Sequence, residues 1–205
     1  MSYTDMDPFI YLASKSPRRR QLLEQLGVRY ELLLPDENED AESLEAELPN
    51  EAPASYVQRV TQLKLDAALS RLAVRGLPAA PVLCSDTTVA LGNIIFGKPA
   101  DATDAVGMLS VLAGQTHRVL TAVALGSAVR RDHRLSESQV TFASLTATEV
   151  QAYVDSGEPL DKAGAYAVQG RAASFIAHMA GSYSGIMGLP MFETAQLLRT
   201  FGFKI

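Results

Sequence analysis

Hydrophobic and polar positions along this chain change rhythm several times. Phe9-Ile10-Tyr11-Leu12 is a short unbroken apolar run, the pattern of a buried strand. It yields to small hydroxyl residues, then Pro17, then three arginines. Ser16 can cap a helix whose first residue is Pro17, where a missing N–H is no loss. Leu22, Leu23 and Leu26 give that helix an apolar face and Gly27 can end it. Val28 to Leu34 reads as a second strand. The stretch from Pro35 to Glu51 is acidic and poor in β-branched residues, which predicts a mobile surface loop. Helical spacing returns with Tyr56, Val60, Leu63 and Ala67, in a helix from about 54 to 72.

The second half is richer in strands. Pro81 to Leu91 is a long apolar strand, and Gly92-Asn93 suits a tight hairpin into Ile94-Ile95-Phe96. Asp101 can cap a helix that ends at Gly114. Strands are predicted near 117–126, 134–145 and 172–179. Thr146 and Glu149 have the spacing of a capping box, opening a helix that stops at Gly157. A last helix runs from Pro190 to just before Gly202. Early alternation of strands and helices, followed by hairpins, predicts an α/β fold with a mixed sheet. No internal repeat or flexible linker divides the chain, so residues 1–205 read as one domain, with two lobes around a central cleft as an expectation.

The chain has 205 residues, 47% hydrophobic and 20% charged, which is enough for a substantial core and unlike a disordered chain. The net charge of −5 argues against general affinity for nucleic acid or anionic membrane, although a local basic patch can still hold a phosphate. Cys84 is the one cysteine, so no internal disulfide forms, and a reducing cytoplasm is the expected location. The N-terminus lacks the features of a signal peptide, and no apolar stretch reaches the ~18 residues of a membrane helix.

Against that acidic background, the arginines after Pro17 stand out. The first turn of a helix carries partial positive charge from unpaired amides, so Arg18 and Arg19 worsen the local electrostatics unless an anion is present. A phosphate would be stabilised by amides, dipole and guanidinium together. The competing reading pairs these arginines with the acidic stretch at 36–51. In "VLCSDTTVAL", Asp86 interrupts a strand of apolar and small residues; it is a candidate base or metal ligand, or else a carboxylate satisfied by backbone amides. Lys98, between glycine and proline, is held on a turn and can present an ammonium to a phosphate. Lys64 borders the apolar face of its helix, which snorkelling also explains. The small residues of "DKAGAYAVQG" and "GSYSGIMGLP" let backbone approach a ligand, and Gln169 can read a base edge. Neither G-x-x-x-x-G-K-[ST] nor G-x-G-x-x-G occurs, and His117, His133 and His178 lack metal-ligand spacing.

Taken together, "LASKSPRRRQLLEQLG", "SDTTVALGNIIFGKP", "DKAGAYAVQG" and "GSYSGIMGLPMFET", in this order, resemble the signature segments of the Maf family of nucleoside triphosphate pyrophosphatases. The resemblance spans about Ile10 to Leu198. "GQTHRVLTAVAL" and "EPLDKAGAYAVQG" look like the branch acting on dTTP and UTP. Thr87 and Gln169 stand where the 7-methyl-GTP branch has glutamine and glutamate.

The resemblance implies an elongated ITPase-like α/β fold with a cleft, often dimeric, and water attack between the α and β phosphorus atoms. It implies Asp86 as proton acceptor, Arg18, Thr87 and Gln169 in base choice, and Ser14, Arg19, Lys64 and Lys98 around the triphosphate. A divalent cation, Mg²⁺ or Mn²⁺, is implied on Asp86 and an acidic loop residue, Glu37 or Glu39, the choice being blurred by the departure "PDENED". A nucleotide-binding regulator of cell division without turnover is the alternative function.

Overall fold

The computed structural model describes residues 8–36, 39–40 and 43–205. Its strands are β1 (Ile10–Leu12), β2 (Tyr30–Leu32), β3 (Val82–Leu91), β4 (Ile94–Phe96), β5 (Thr116–Gly126), β6 (Arg131–Phe142) and β7 (Ile176–Ala180). The helices are α1 (Pro17–Gln25), α2 (Pro53–Val74), α3 (Ala102–Leu112), α4 (Ala147–Val154), α5 (Tyr183–Met187) and α6 (Met191–Thr200). The strands form one sheet in the order β2-β1-β3-β5-β6-β7, with β4 also on β3. β1 runs parallel to β2 and β3, and the remaining pairs are antiparallel. The expected mixed α/β architecture, a sheet flanked by helices, is therefore the one observed.

One feature of this sheet creates the site. β5 covers β3 along one edge from Val82 to Ala90. The opposite edge is shared: β1 pairs with Val82 and Leu83, and β4 pairs with Val89 to Leu91. Between them, residues 84–88 have no strand partner on that side among the described residues. The sheet is split there, and Asp86 lies in the middle of the split.

Alternation along β3 sends neighbours to opposite faces. Cys84 packs with Leu65, Ala68 and Leu72 of α2, so that face carries Asp86 toward α2. Leu83 packs with Leu22, Leu23, Leu197 and Leu198, so Ser85 and Thr87 face α1, α5 and α6. A third cluster, built on Leu109, Phe142, Tyr153 and Tyr166, fills the far side under α3 and α4.

Several helix ends follow the sequence reading. Ser16 accepts a bond from the Arg19 amide, Asp101 from that of Asp104, and Thr146 forms a reciprocal capping box with Glu149. Several stretches differ from it; β6, for one, spans Arg131–Phe142 rather than 134–145, because its pairing with β5 begins at Gly126 and Arg131. β2 is shorter than 28–34, because only Tyr30 to Leu32 lies in register with β1. Residues 171–174 form a 3-10 turn, and β7 starts only at Ile176. Within "GSYSGIMGLP", Ser182 caps the short helix α5, which Gly188 ends at φ 115°. Five residues are too few for a periodic signal. The acidic stretch is also more ordered in its contacts than a free loop: Asp36, Glu39, Glu45 and Glu51 pair with Arg75, Arg71, Lys64 and Arg59, running antiparallel along α2. No helix in the described residues is long and apolar enough to cross a membrane.

His117 gives this core a pH signature. It is buried, its Nε2 lies 2.9 Å from the Tyr166 hydroxyl, and its Nδ1 has no partner among the described residues. Burial lowers its pKa to about 4. The folded state therefore resists protonation that the unfolded chain accepts below its usual value near 6.5. Stability is complete above that value and falls as pH drops toward 4, by about 3 kcal/mol from this residue. Chemical denaturation at pH 7 and pH 4.5, for wild type and His117→Gln, tests this. The wild type should lose more stability between the two values; equal losses would exclude the assignment.

Candidate active site

A cleft of about 520 Å³ opens at the split in the sheet. The β1–α1 turn, α2, β3, the β4–α3 turn, the 161–169 segment and the end of α5 all line it. Of the residues singled out in the sequence, Ser14, Arg18, Arg19, Lys64, Asp86, Thr87, Lys98 and Gln169 line this one cleft. Glu37 lies outside the described residues.

Asp86 is 8% exposed, on a strand otherwise lined by apolar and hydroxyl groups. Its partner comes from α2: the Lys64 ammonium donates to Asp86 Oδ1 at 2.5 Å. The same ammonium donates to Glu45 Oε1 at 2.7 Å. Lys64 thus turns inward rather than snorkelling outward, and it joins two carboxylates from distant segments. Burial acts to raise the Glu45 carboxyl, but the Lys64 charge and hydrogen bond, together with the Lys98 and Arg19 charges, hold the group below the usual carboxylate range. Burial, reinforced by the Asp86 and Glu45 charges, pushes the Tyr56 phenol up to about 12. It stays protonated and donates to the Glu45 carbonyl at 2.8 Å, fixing the acidic segment over the cleft.

The arginines do not pair with that segment. Among the described residues neither Arg18 nor Arg19 makes an ion pair; the acidic side chains go to cations of α2 instead. Arg19 Nε donates to the Gly188 carbonyl at 2.7 Å, Nη1 to Ser14 Oγ at 3.3 Å and Nη2 to Thr87 Oγ1 at 3.5 Å. Arg18 Nε reaches the Met187 carbonyl at 3.4 Å. Both guanidiniums thereby meet carbonyls at the C-terminal end of α5, where the helix dipole favours cations. Glycine suits position 188 because a side chain would be strained at φ +115°. Desolvation lowers the Arg19 pKa, with Asp86 opposing the shift, and a guanidinium stays charged regardless. These bonds leave the cationic ends of α1 facing an open cleft, which an anion of high charge would stabilise.

The remaining candidates sit nearer the rim. Lys98 is exposed, its Nζ 3.8 Å from Asp161 Oδ1, so it is free to move to a ligand. Gln169 is exposed at the cleft and makes no side-chain hydrogen bond among the described residues. Thr87 Oγ1 also lies 3.1 Å from Thr121 Oγ1, tying it to β5.

A divalent cation fits the donor set. Asp86 and Glu45 offer hard carboxylate oxygens brought to one point, as Mg²⁺ or Mn²⁺ prefers. No group of three or more metal-ligating side chains occurs among the described residues. Glu39 is occupied elsewhere: Arg71 grips it bidentately, at 2.8 Å to Oε1 and 2.5 Å to Oε2, which holds its carboxyl near 2. Glu45, like Tyr56, was not marked in the sequence. One glutamate in an acidic run carries no signal of its own, and Tyr56 reads as core.

Fold and cleft together define a member of the Maf family: the Maf-like protein family matches residues 9–201, and the chain belongs to it. A dTTP/UTP pyrophosphatase from Albidiferax ferrireducens is 74% identical over 200 residues, 98% of this chain and 100% of that relative. One of the same name from Polaromonas is 64% identical, covering 96% of this chain and 98% of the relative. Among solved structures, the Staphylococcus aureus Ham1 protein aligns with 94% of this chain and 96% of its own, at 12% identity and a TM-score of 0.45.

Proposed function

We propose that this protein hydrolyses dTTP, UTP and related pyrimidine nucleoside triphosphates to the nucleoside monophosphate and pyrophosphate. The observation that carries this reading is the gathering of Arg18, Arg19, Lys64 and Lys98 around Asp86 in one cleft of a net-acidic protein. The names of the relatives supply the substrates.

In this reading Asp86 accepts the proton of the attacking water. Its place at the split of β3 leaves one carboxylate oxygen beyond the Lys64 bond for that water. Lys64 moves from the carboxylates to a phosphate oxygen, while Arg19, already rigid on Gly188, and Ser14 hold the chain of phosphates. Lys98 approaches from the rim. Asp86 with Glu45 or Glu37 would hold a Mg²⁺ or Mn²⁺ ion, which would supply charge neutralisation and a more acidic water. Positioning and charge account for most of the acceleration, since phosphoryl transfer asks for little covalent help. Arg18, Thr87 and Gln169 read the base, Gln169 matching the donor and acceptor pattern of the O4/N3 edge of thymine or uracil. The chain acts as a single unit in the cytoplasm, as a homodimer, with no role for nucleic acid or membrane.

The test is a substrate panel: dTTP, UTP, CTP, ATP and 7-methyl-GTP, each with Mg²⁺ or Mn²⁺, with pyrophosphate release followed. dTTP and UTP should exceed ATP and 7-methyl-GTP by at least about tenfold in kcat/KM. Folded protein that turns over none of them would favour the regulator instead.

A further inference from the structure

Gln169 lines the cleft from an exposed turn and its side chain makes no hydrogen bond among the described residues, so its backbone decides what it presents. That backbone is held at both ends. Upstream, the Gly164 amide donates to the Gly97 carbonyl at 3.0 Å and the Tyr166 hydroxyl lies 2.9 Å from His117 Nε2. Downstream the holding group is one carboxylate. Glu158 Oε2 accepts from the Arg171 amide at 2.9 Å, and Oε1 from the Ala172 amide at 3.5 Å. Oε1 also accepts from the Tyr153 hydroxyl at 2.9 Å, which fixes the carboxylate against α4. The chain lies flat on it: a Cβ added at Gly170 would fall 2.2 Å from Oε1 and 2.6 Å from Oε2. Both carboxylate oxygens therefore accept from a backbone amide, and the residue after Gln169 has to be glycine for the contact to exist.

We propose that Glu158 is a positioning residue for base choice, its carboxylate clamping the 170–172 backbone so that Gln169 is presented to the base edge. This rests on the base-reading role given to Gln169 above. Glutamine replaces it only in part: its NH₂ group must face either the Arg171 amide, losing the 2.9 Å bond, or the Ala172 amide, losing the longer contact and the acceptor for the Tyr153 hydroxyl. Loosening the clamp lets Gln169 drift, which weakens the read-out of the base without touching Asp86 or the cations.

The experiment compares UTP with CTP, which differ at the O4/N3 edge, in the full-length protein with Mg²⁺. Wild type is measured first. If it does not prefer UTP, the reading of the site fails before the clamp is tested. If it does, Glu158→Gln should lower the UTP:CTP ratio of kcat/KM about tenfold, through KM for UTP, with kcat within about threefold of wild type. Gly170→Ala, which breaks the same contact from the other side, should do likewise, and carries the test if Glu158→Gln fails to fold. A ratio unchanged in both clamp variants, or an equal loss on both nucleotides, would overturn the proposal.

Discussion

Asp86→Asn is expected to lower kcat about 10³-fold, within the range attributed to a positioned general base. The substitution is nearly isosteric. Its backbone stays paired with Ala122 on β5, and the amide oxygen can still accept from Lys64. What is lost is the negative charge and the ability to take a proton, so the fold and the cationic wall should survive. Binding of a non-hydrolysable dTTP analogue, measured by calorimetry, should stay within about tenfold of wild type, while pyrophosphate release nearly stops. A variant retaining a tenth of wild-type turnover would remove Asp86 from the role of proton acceptor.

Lys64→Met should lower kcat/KM by about 10²- to 10³-fold, the scale seen when one preorganised donor to developing charge is removed. Methionine replaces most of the aliphatic stem, so packing on α2 is largely kept. The ammonium is what joins Asp86 to Glu45, at 2.5 and 2.7 Å. Without it two partly buried carboxylates face each other uncompensated, and the phosphates lose a cation. The Glu45 carboxyl keeps the burial that raises it and loses the Lys64 charge and hydrogen bond, leaving only the Lys98 and Arg19 charges to hold it down. Lys64→Arg keeps a charge but not the compact ammonium geometry, so it should recover only part of the loss. Steady-state kinetics on dTTP read both variants; a Met variant within tenfold of wild type would return Lys64 to a packing role.

The two variants separate parts of the site that lie in contact. Asp86→Asn should act on kcat, whereas Lys64→Met should act on both kcat and KM, because in the proposed mechanism its charge serves substrate and carboxylates in turn. Since the residues touch, the double variant should lose less than the combined single losses imply.

Much of this molecule was legible from local pattern. Apolar runs and 3.6-residue spacing marked β1, β3, α1 and α2, and short-range chemistry marked the caps at Ser16, Asp101 and Thr146. These signals lie within one turn or one strand, where sequence neighbours are spatial neighbours. α5 escaped because five residues between Ser182 and Gly188 hold too little periodicity. The turn at 171–174 escaped because its hold is on Glu158, thirteen residues away from Arg171.

The sequence by itself determined which residues carry unusual charge: an aspartate in an apolar strand, arginines at a helix start, a lysine on a tight turn. It could not determine which of them meet. Only the tertiary structure decided that α2 turns Lys64 onto Asp86, that Arg19 rests on Gly188, and that Glu45 rather than Glu39 faces the cleft. Those contacts join segments up to 169 positions apart. They depend on the order of strands and on the gap that β1 and β4 leave along β3. No local pattern encodes such a gap, because it arises from where two other strands stop.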